Sequence, residues 1–214
     1  MNTLVDNDVL VKGACYGVLG EFAASVSSTA SRCGVLGAAR FVVPKAISRQ
    51  QLHGDAAVAG EVFQAFLDQN DIVEPTADEQ ELAAELESAA QALALNLDAG
   101  ESQLAAIVVS RAVPALLTGD KRAIVAMEQL LETTPELQAL AGRVHCLEQA
   151  VRRLVDAAGI DTIRPAICAE PRVDKALTIC FSCASGQASQ TSVRTALDSY
   201  IADLRAAAPH VLAA

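Results

Sequence analysis

The chain has 214 residues, 52% of them hydrophobic but only 3% aromatic, no tryptophan, and a net charge of −10. That length holds one large domain or a domain with an extension, and its core must be built from Ala, Leu and Val. The charge excludes a global basic footprint for gripping nucleic acid, and no run of about 18 apolar residues is present to cross a membrane.

Thr3-Leu4-Val5 reads as a first strand, followed by Asp6-Asn7-Asp8 at its carboxyl end and then Val9-Leu10-Val11. The early acids are out of place in a secretory leader, so a cytoplasmic protein with six free thiols is expected. Ala14, Val18, Leu19 and Phe22 suit a helical face, and Gly13, Gly17 and Gly20 do not form a dinucleotide fingerprint. Phe41-Val42-Val43 before Pro44 reads as the second strand, with Ala46 to Leu52 as a short helix. Ala56 to Gln69 reads as a helix and Asp71 to Glu74 as an extended segment. Thr76 and Glu79 form a capping box opening a long amphipathic helix, whose Glu79, Glu81, Glu85 and Glu87 read as a solvated face.

The central stretch is LDAGESQLAAIVVSRAVPALLTGDKRA, residues 97 to 123. Asp98-Ala99-Gly100 has turn chemistry. Glu101 sits in the first turn of a helix, where the dipole favours a negative charge. Pro114 falls outside that helix. Leu116 to Thr118 reads as a buried strand neighbouring Thr3 to Val5, Asp120 ends it, and a further helix starts at Lys121. Arg143 to Leu147 reads as a final strand and Glu148 to Ala158 as a helix stopped by Gly159. In the tail, Asp174 to Phe181 reads as helical and Ser182 to Ser192 as a small-residue loop. Val193, Leu197, Tyr200, Ile201 and Leu204 give a last amphipathic helix, to be buried on the core or on another subunit. Alternating strands and helices predict a three-layer α/β/α sandwich with a mainly parallel sheet. Residues 1–158 would form the α/β domain and 159–214 a helical C-terminal extension.

Asp6, Asp8, Glu101 and Asp120 come from separated segments, yet all fall at element ends on one predicted sheet edge. Each alone has a bland reading as a cap. Together, close carboxylates raise one another's pKa unless a cation lies between them, and an all-oxygen set suits Mg²⁺ or Mn²⁺. Cys180 and Cys183 form a CxxC without a second pair, a weak zinc signal.

VDNDVL at the N-terminus, AGESQLAAIVVSRA and then LLTGDKRA together resemble the PIN domain family over residues 3 to about 155. The resemblance implies a three-layer α/β/α fold and a Mg²⁺- or Mn²⁺-dependent ribonuclease, toxin nucleases being among the members. Asp6, Glu101 and Asp120 would be the catalytic, metal-holding acids, with Asp8 and Asp98 close to such positions. RNA is the implied substrate, Lys12 or Lys121 its phosphate contact, and an antitoxin or a homodimer mate the implied protein partners. The sequence departs from the family where another acid usually follows a strand and a proline: Gln50 and Gln51 stand there. That departure leaves open a non-catalytic, protein-binding PIN-like module. A third reading takes Asp6-Asn7-Asp8 as resembling the DxDx start of haloacid-dehalogenase-type phosphohydrolases.

Overall fold

Among the described residues five short strands carry the fold: Thr3–Val5 (β1), Cys33–Leu36 (β2), Asp71–Val73 (β3), Ala115–Thr118 (β4) and Val144–Cys146 (β5). The computed structural model describes residues 1–27 and 32–214 and pairs them in the order β3-β2-β1-β4-β5, every pair parallel. β1 lies beside β4 with Leu4 opposite Leu116 and Val5 opposite Leu117, the neighbours expected from their apolar runs.

Strand side chains alternate between two cores, as the two-residue pleat requires. Val5, Val35 and Leu117 face one side, while Leu4, Leu36 and Leu116 face the other. The first core is closed by helices Asn7–Tyr16 (α1), Leu19–Val26 (α2), Ala39–Ile47 (α3), Ala56–Gln69 (α4) and Leu147–Ala158 (α8). The second is closed by Ala77–Ala92 (α5), Ala99–Arg111 (α6), Lys121–Leu130 (α7) and the 3-10 turn Pro135–Leu140. The molecule is therefore α/β, with an all-parallel sheet between helical layers.

The last residues enter both cores. Ile160–Ala169 (α9), Lys175–Cys180 (α10) and the first half of Gln190–Ala207 (α11) add Ile163, Leu177, Val193 and Leu197 to the first. Leu204, Val211 and Leu212 belong to the second. Beyond α11, residues 210–213 run along β5: Val144 N–H donates to Val211 O at 3.1 Å and Ala213 N–H to Val144 O at 2.7 Å. The stripe expected on the last helix is buried at Val193, Leu197 and Leu204 and half-buried at Tyr200 and Ile201.

Four sequence expectations are corrected. Phe41-Val42-Val43 is not a strand but part of α3, whose Ala39, Val43 and Ile47 recur every four residues and pack on the core. Local β-propensity lost to that periodicity, Pro44 is held inside the helix, and the second strand is the earlier Cys33–Leu36. Glu79 is not on a solvated face: it is 2% exposed and held by Arg111 at 2.6 Å, besides closing the expected capping box with Thr76. The thiols are not all free, since Cys168 and Cys183 form a disulfide while Cys180 stays reduced and buried. Asp98-Ala99-Gly100 is the cap and first turn of α6 rather than a separate turn.

Candidate functional site

The strand order reverses beside β1. The chain moves outward from β1 through β2 to β3, then returns past β1 to lay down β4 and β5. In open parallel sheets the crevice outside the carboxyl ends at such a switch point is where ligands bind. Here a cleft of about 500 Å³ opens, lined by Asp6, Asn7, Asp8, Asp98, Glu101 and Asp120 on its polar side and by Leu36, Ala38 and Val42 on its apolar side. The four sequence-predicted acids thus share one cleft.

Each acid is placed by the backbone of an element it caps or opens. Asp6 follows β1 and caps α1, its Oδ1 accepting the Asn7 N–H at 2.6 Å. Its Oδ2 accepts the Thr118 hydroxyl at 3.0 Å, and that hydroxyl in turn accepts the Asp120 N–H at 3.2 Å. The ends of β1 and β4 are therefore joined through polar groups of the site itself. Asp98 caps α6 by accepting the Glu101 N–H at 2.9 Å, and Glu101 Oε2 reaches back to the Asp98 N–H at 2.8 Å. This reciprocal box leaves Glu101 Oε1 for other partners. Asp120 caps α7, its Oδ1 accepting Arg122 N–H at 2.8 Å and Ala123 N–H at 3.4 Å. The Arg122 guanidinium closes on the other side, with Nη2 2.8 Å from Oδ2 and Nε 3.3 Å from Oδ1. Asp8 is in the first turn of α1, one turn ahead of Lys12, whose Nζ lies 2.7 Å from both Asp8 and Asp174. Gly119 permits that arrangement, because a Cβ there would lie 2.0 Å from Asp8 Oδ2.

The electrostatics divide the acids. Asp6 is 6% exposed, and burial together with the charge of Asp8 pushes its carboxyl up to about 6, against the hydrogen bonds from Thr118 and Asn7. Glu101 is 7% exposed and is pushed up to about 8, chiefly by burial. The Asp98 N–H opposes that rise, and the charges of Asp98, Asp120 and Asp6 add to it. Burial also raises Asp8, more than Lys12 lowers it. Asp120 goes the other way: burial pushes it up, but the Arg122 guanidinium and the two backbone N–H groups outweigh that.

Comparison with known proteins finds no matching family model, no matching curated protein and no matching solved structure. Function must therefore be argued from the cleft. Its donors are carboxylate oxygens, the class that suits hard divalent cations, and the carboxyls of Asp6, Asp8 and Glu101 are raised, a shift that a nearby cation would oppose. In that donor chemistry the residues fit Mg²⁺ or Mn²⁺. As the side chains stand, no three acidic, histidine or cysteine groups among the described residues are gathered closely enough to hold a metal.

Asp98 joins the lining although sequence spacing left it unassigned; its signal was the N-cap position three residues before Glu101. Gln50 and Gln51 lie past the end of α3, and Gln51 Oε1 accepts from Arg172. The α3 residues that do face the cleft are Ala38, at its N-cap, and Val42, so no carboxylate comes from this helix. Lys12 and Lys121 line a neighbouring pocket of about 400 Å³ on the far side of Asp8 and Asp120. There Lys121 pairs with the buried Glu148 at 2.5 Å and lies over the Tyr200 ring.

Proposed function

We propose that the chain is a PIN-like, Mg²⁺- or Mn²⁺-dependent ribonuclease that hydrolyses RNA phosphodiesters in the acidic cleft. The observation that supports this reading is that Asp6, Glu101 and Asp120 line one cleft at the switch point of an all-parallel sheet. Asp6, Glu101 and Asp120 would hold the cation, with Asp8 beside them. When bound, the cation supplies Lewis acidity and a counter-charge for the phosphate. The protein's own part is placement. Thr118 fixes the Asp6 carboxylate against β4, the Asp98 box orients Glu101, and the half-buried cleft lowers the dielectric around the reacting group. The acidic surface makes metal entry a precondition for approach of an anionic strand.

Cleavage of a fluorescent single-stranded RNA tests this. Activity should require Mn²⁺ or Mg²⁺, stop with chelator, and be lost in Asp120→Asn, which keeps the helix cap because Asn caps as well as Asp. Cleavage that is indifferent to chelator, or unchanged in Asp120→Asn, would refute it.

One observation favours the alternative of a non-catalytic binding module. α3 presents Ala38 and Val42 to the cleft instead of an acid, and Phe41 beside them is 74% exposed. A folded protein that binds Mn²⁺ yet leaves every RNA intact would favour that module, whose partner would be a protein.

A further inference from the structure

The two cations nearest the acids are held differently. Lys12 is sunk between Asp8 and Asp174, with 17% of its side chain exposed and two ion pairs at 2.7 Å. Arg122 is 72% exposed and pairs with Asp120 alone among the ion pairs of the described residues. Removing Lys12 from its place would strand two carboxylates, whereas Arg122 can leave by rotating into solvent.

The oxygen that Arg122 occupies is the one that matters. Asp120 Oδ1 is engaged by the start of α7, which fixes the carboxylate plane. Oδ2 is outside the cap, and its partner is Arg122 Nη2. A cation entering the cleft would reach Asp120 through Oδ2, so it competes with the guanidinium for one oxygen. Arg122 also borders three depressions, two of which Asp120 lines as well. One runs towards Lys121 and Lys175, and another lies along Leu95 and Asn96. A guanidinium released from Oδ2 therefore has room within reach of the cleft, and its planar fork matches a phosphate.

We propose that Arg122 is a latch on Asp120 which an entering divalent cation displaces, and that the freed guanidinium then contacts a phosphate of the single-stranded substrate beside the cleft. The proposal rests on the metal-dependent reading above and assigns Arg122 a positioning and substrate-binding role. It couples metal and substrate binding: metal entry supplies a cationic contact for the strand, and a phosphate that takes the guanidinium leaves Oδ2 open to metal.

The test uses Mn²⁺ alone, and then a labelled single-stranded oligodeoxynucleotide in the presence of Mn²⁺, on wild type, Arg122→Ala and Arg122→Lys. An exposed pair opposes the metal only weakly, so Arg122→Ala should bind Mn²⁺ about two- to five-fold more tightly by calorimetry. The same variant should bind the oligonucleotide several-fold more weakly, with its log K against log salt slope reduced by about 0.7, one phosphate contact on a single strand. Arg122→Lys, which keeps the charge and loses the fork, should fall between. If wild type binds Mn²⁺ and Arg122→Ala binds it equally or less well, the latch is wrong while the metal site stands. If wild type binds no Mn²⁺, the metal-dependent reading fails and the latch with it. A tighter metal affinity with unchanged oligonucleotide binding overturns the substrate contact.

Discussion

Glu101→Gln should stabilise the metal-free protein, and only at neutral to alkaline pH. The side chain is 7% exposed among like charges, and its carboxyl is raised from 4.5 to about 8. A raised acid means that the folded state holds a proton which the unfolded chain releases. Stability then falls as pH rises from about 4.5 through about 8. At about 1.4 kcal/mol per pH unit the full displacement amounts to about 5 kcal/mol. Burial is the main cause of that displacement, and relaxation with water entry at the cleft mouth reduces the effective penalty, leaving about 2–3 kcal/mol. Glutamine removes this charge yet can still reach the Asp98 N–H, since Gln serves in a capping box as Glu does. Urea unfolding of both proteins with chelator present should show near-equal stability at pH 5. At pH 8.5 the variant should be about 2–3 kcal/mol more stable. Saturating Mn²⁺ should reverse the order, because only the wild type gains from the metal. A variant destabilised equally at both pH values would show that Glu101 is an ordinary capping carboxylate under no strain.

Thr118→Val removes the hydroxyl joining Asp6 Oδ2 to the Asp120 N–H. It should cost about 1–3 kcal/mol in denaturant unfolding at pH 7, and an unchanged midpoint would deny that this link matters. Cys168→Ser opens a 15-residue loop between α9 and the segment after α10. The expected loss is about 3 kcal/mol, read as a lower thermal midpoint that reductant reproduces in the wild type. Deleting residues 209–214 removes the buried Val211 and Leu212 and bares the β5 edge. Two such side chains are worth about 3–6 kcal/mol, and gel filtration should show association through the open edge; a monomer of full stability would contradict the placement of the tail.

Much of the sheet was legible because parallel strands buried on both faces read as short apolar runs. Leu4-Val5 and Leu116-Leu117 are such runs, and each splits its two side chains between the two cores. Cys33–Leu36 is less legible because Gly34 breaks the run, and that glycine is needed where Met1, Leu4 and Val73 close in: a Cβ there would lie 2.1 Å from Met1 Sδ and 2.7 Å from Leu4 Cδ2. Phe41-Val42-Val43 drew attention instead, by composition that the Ala39, Val43, Ile47 spacing overrode. Among the acids, position at an element end was readable, since Asp6, Asp98 and Asp120 are all N-caps. The long-range ion pairing around Asp8 was not. Lys12 meets Asp174 from the tail, and no local pattern encodes a contact across so many residues. The disulfide was hidden for the same reason, with the CxxC spacing pointing to Cys180 while the fold brings Cys168 to Cys183.

The most direct test of the central claim is a crystal structure of the protein soaked in Mn²⁺, with anomalous scattering locating the ion. We expect an anomalous peak in the cleft at about 2.2 Å from oxygens of Asp6, Glu101 and Asp120, with Asp120 Oδ2 released from Arg122. A well-diffracting soaked crystal with no peak in the cleft, or with Mn²⁺ bound elsewhere while these carboxylates keep their present hydrogen bonds, would contradict it.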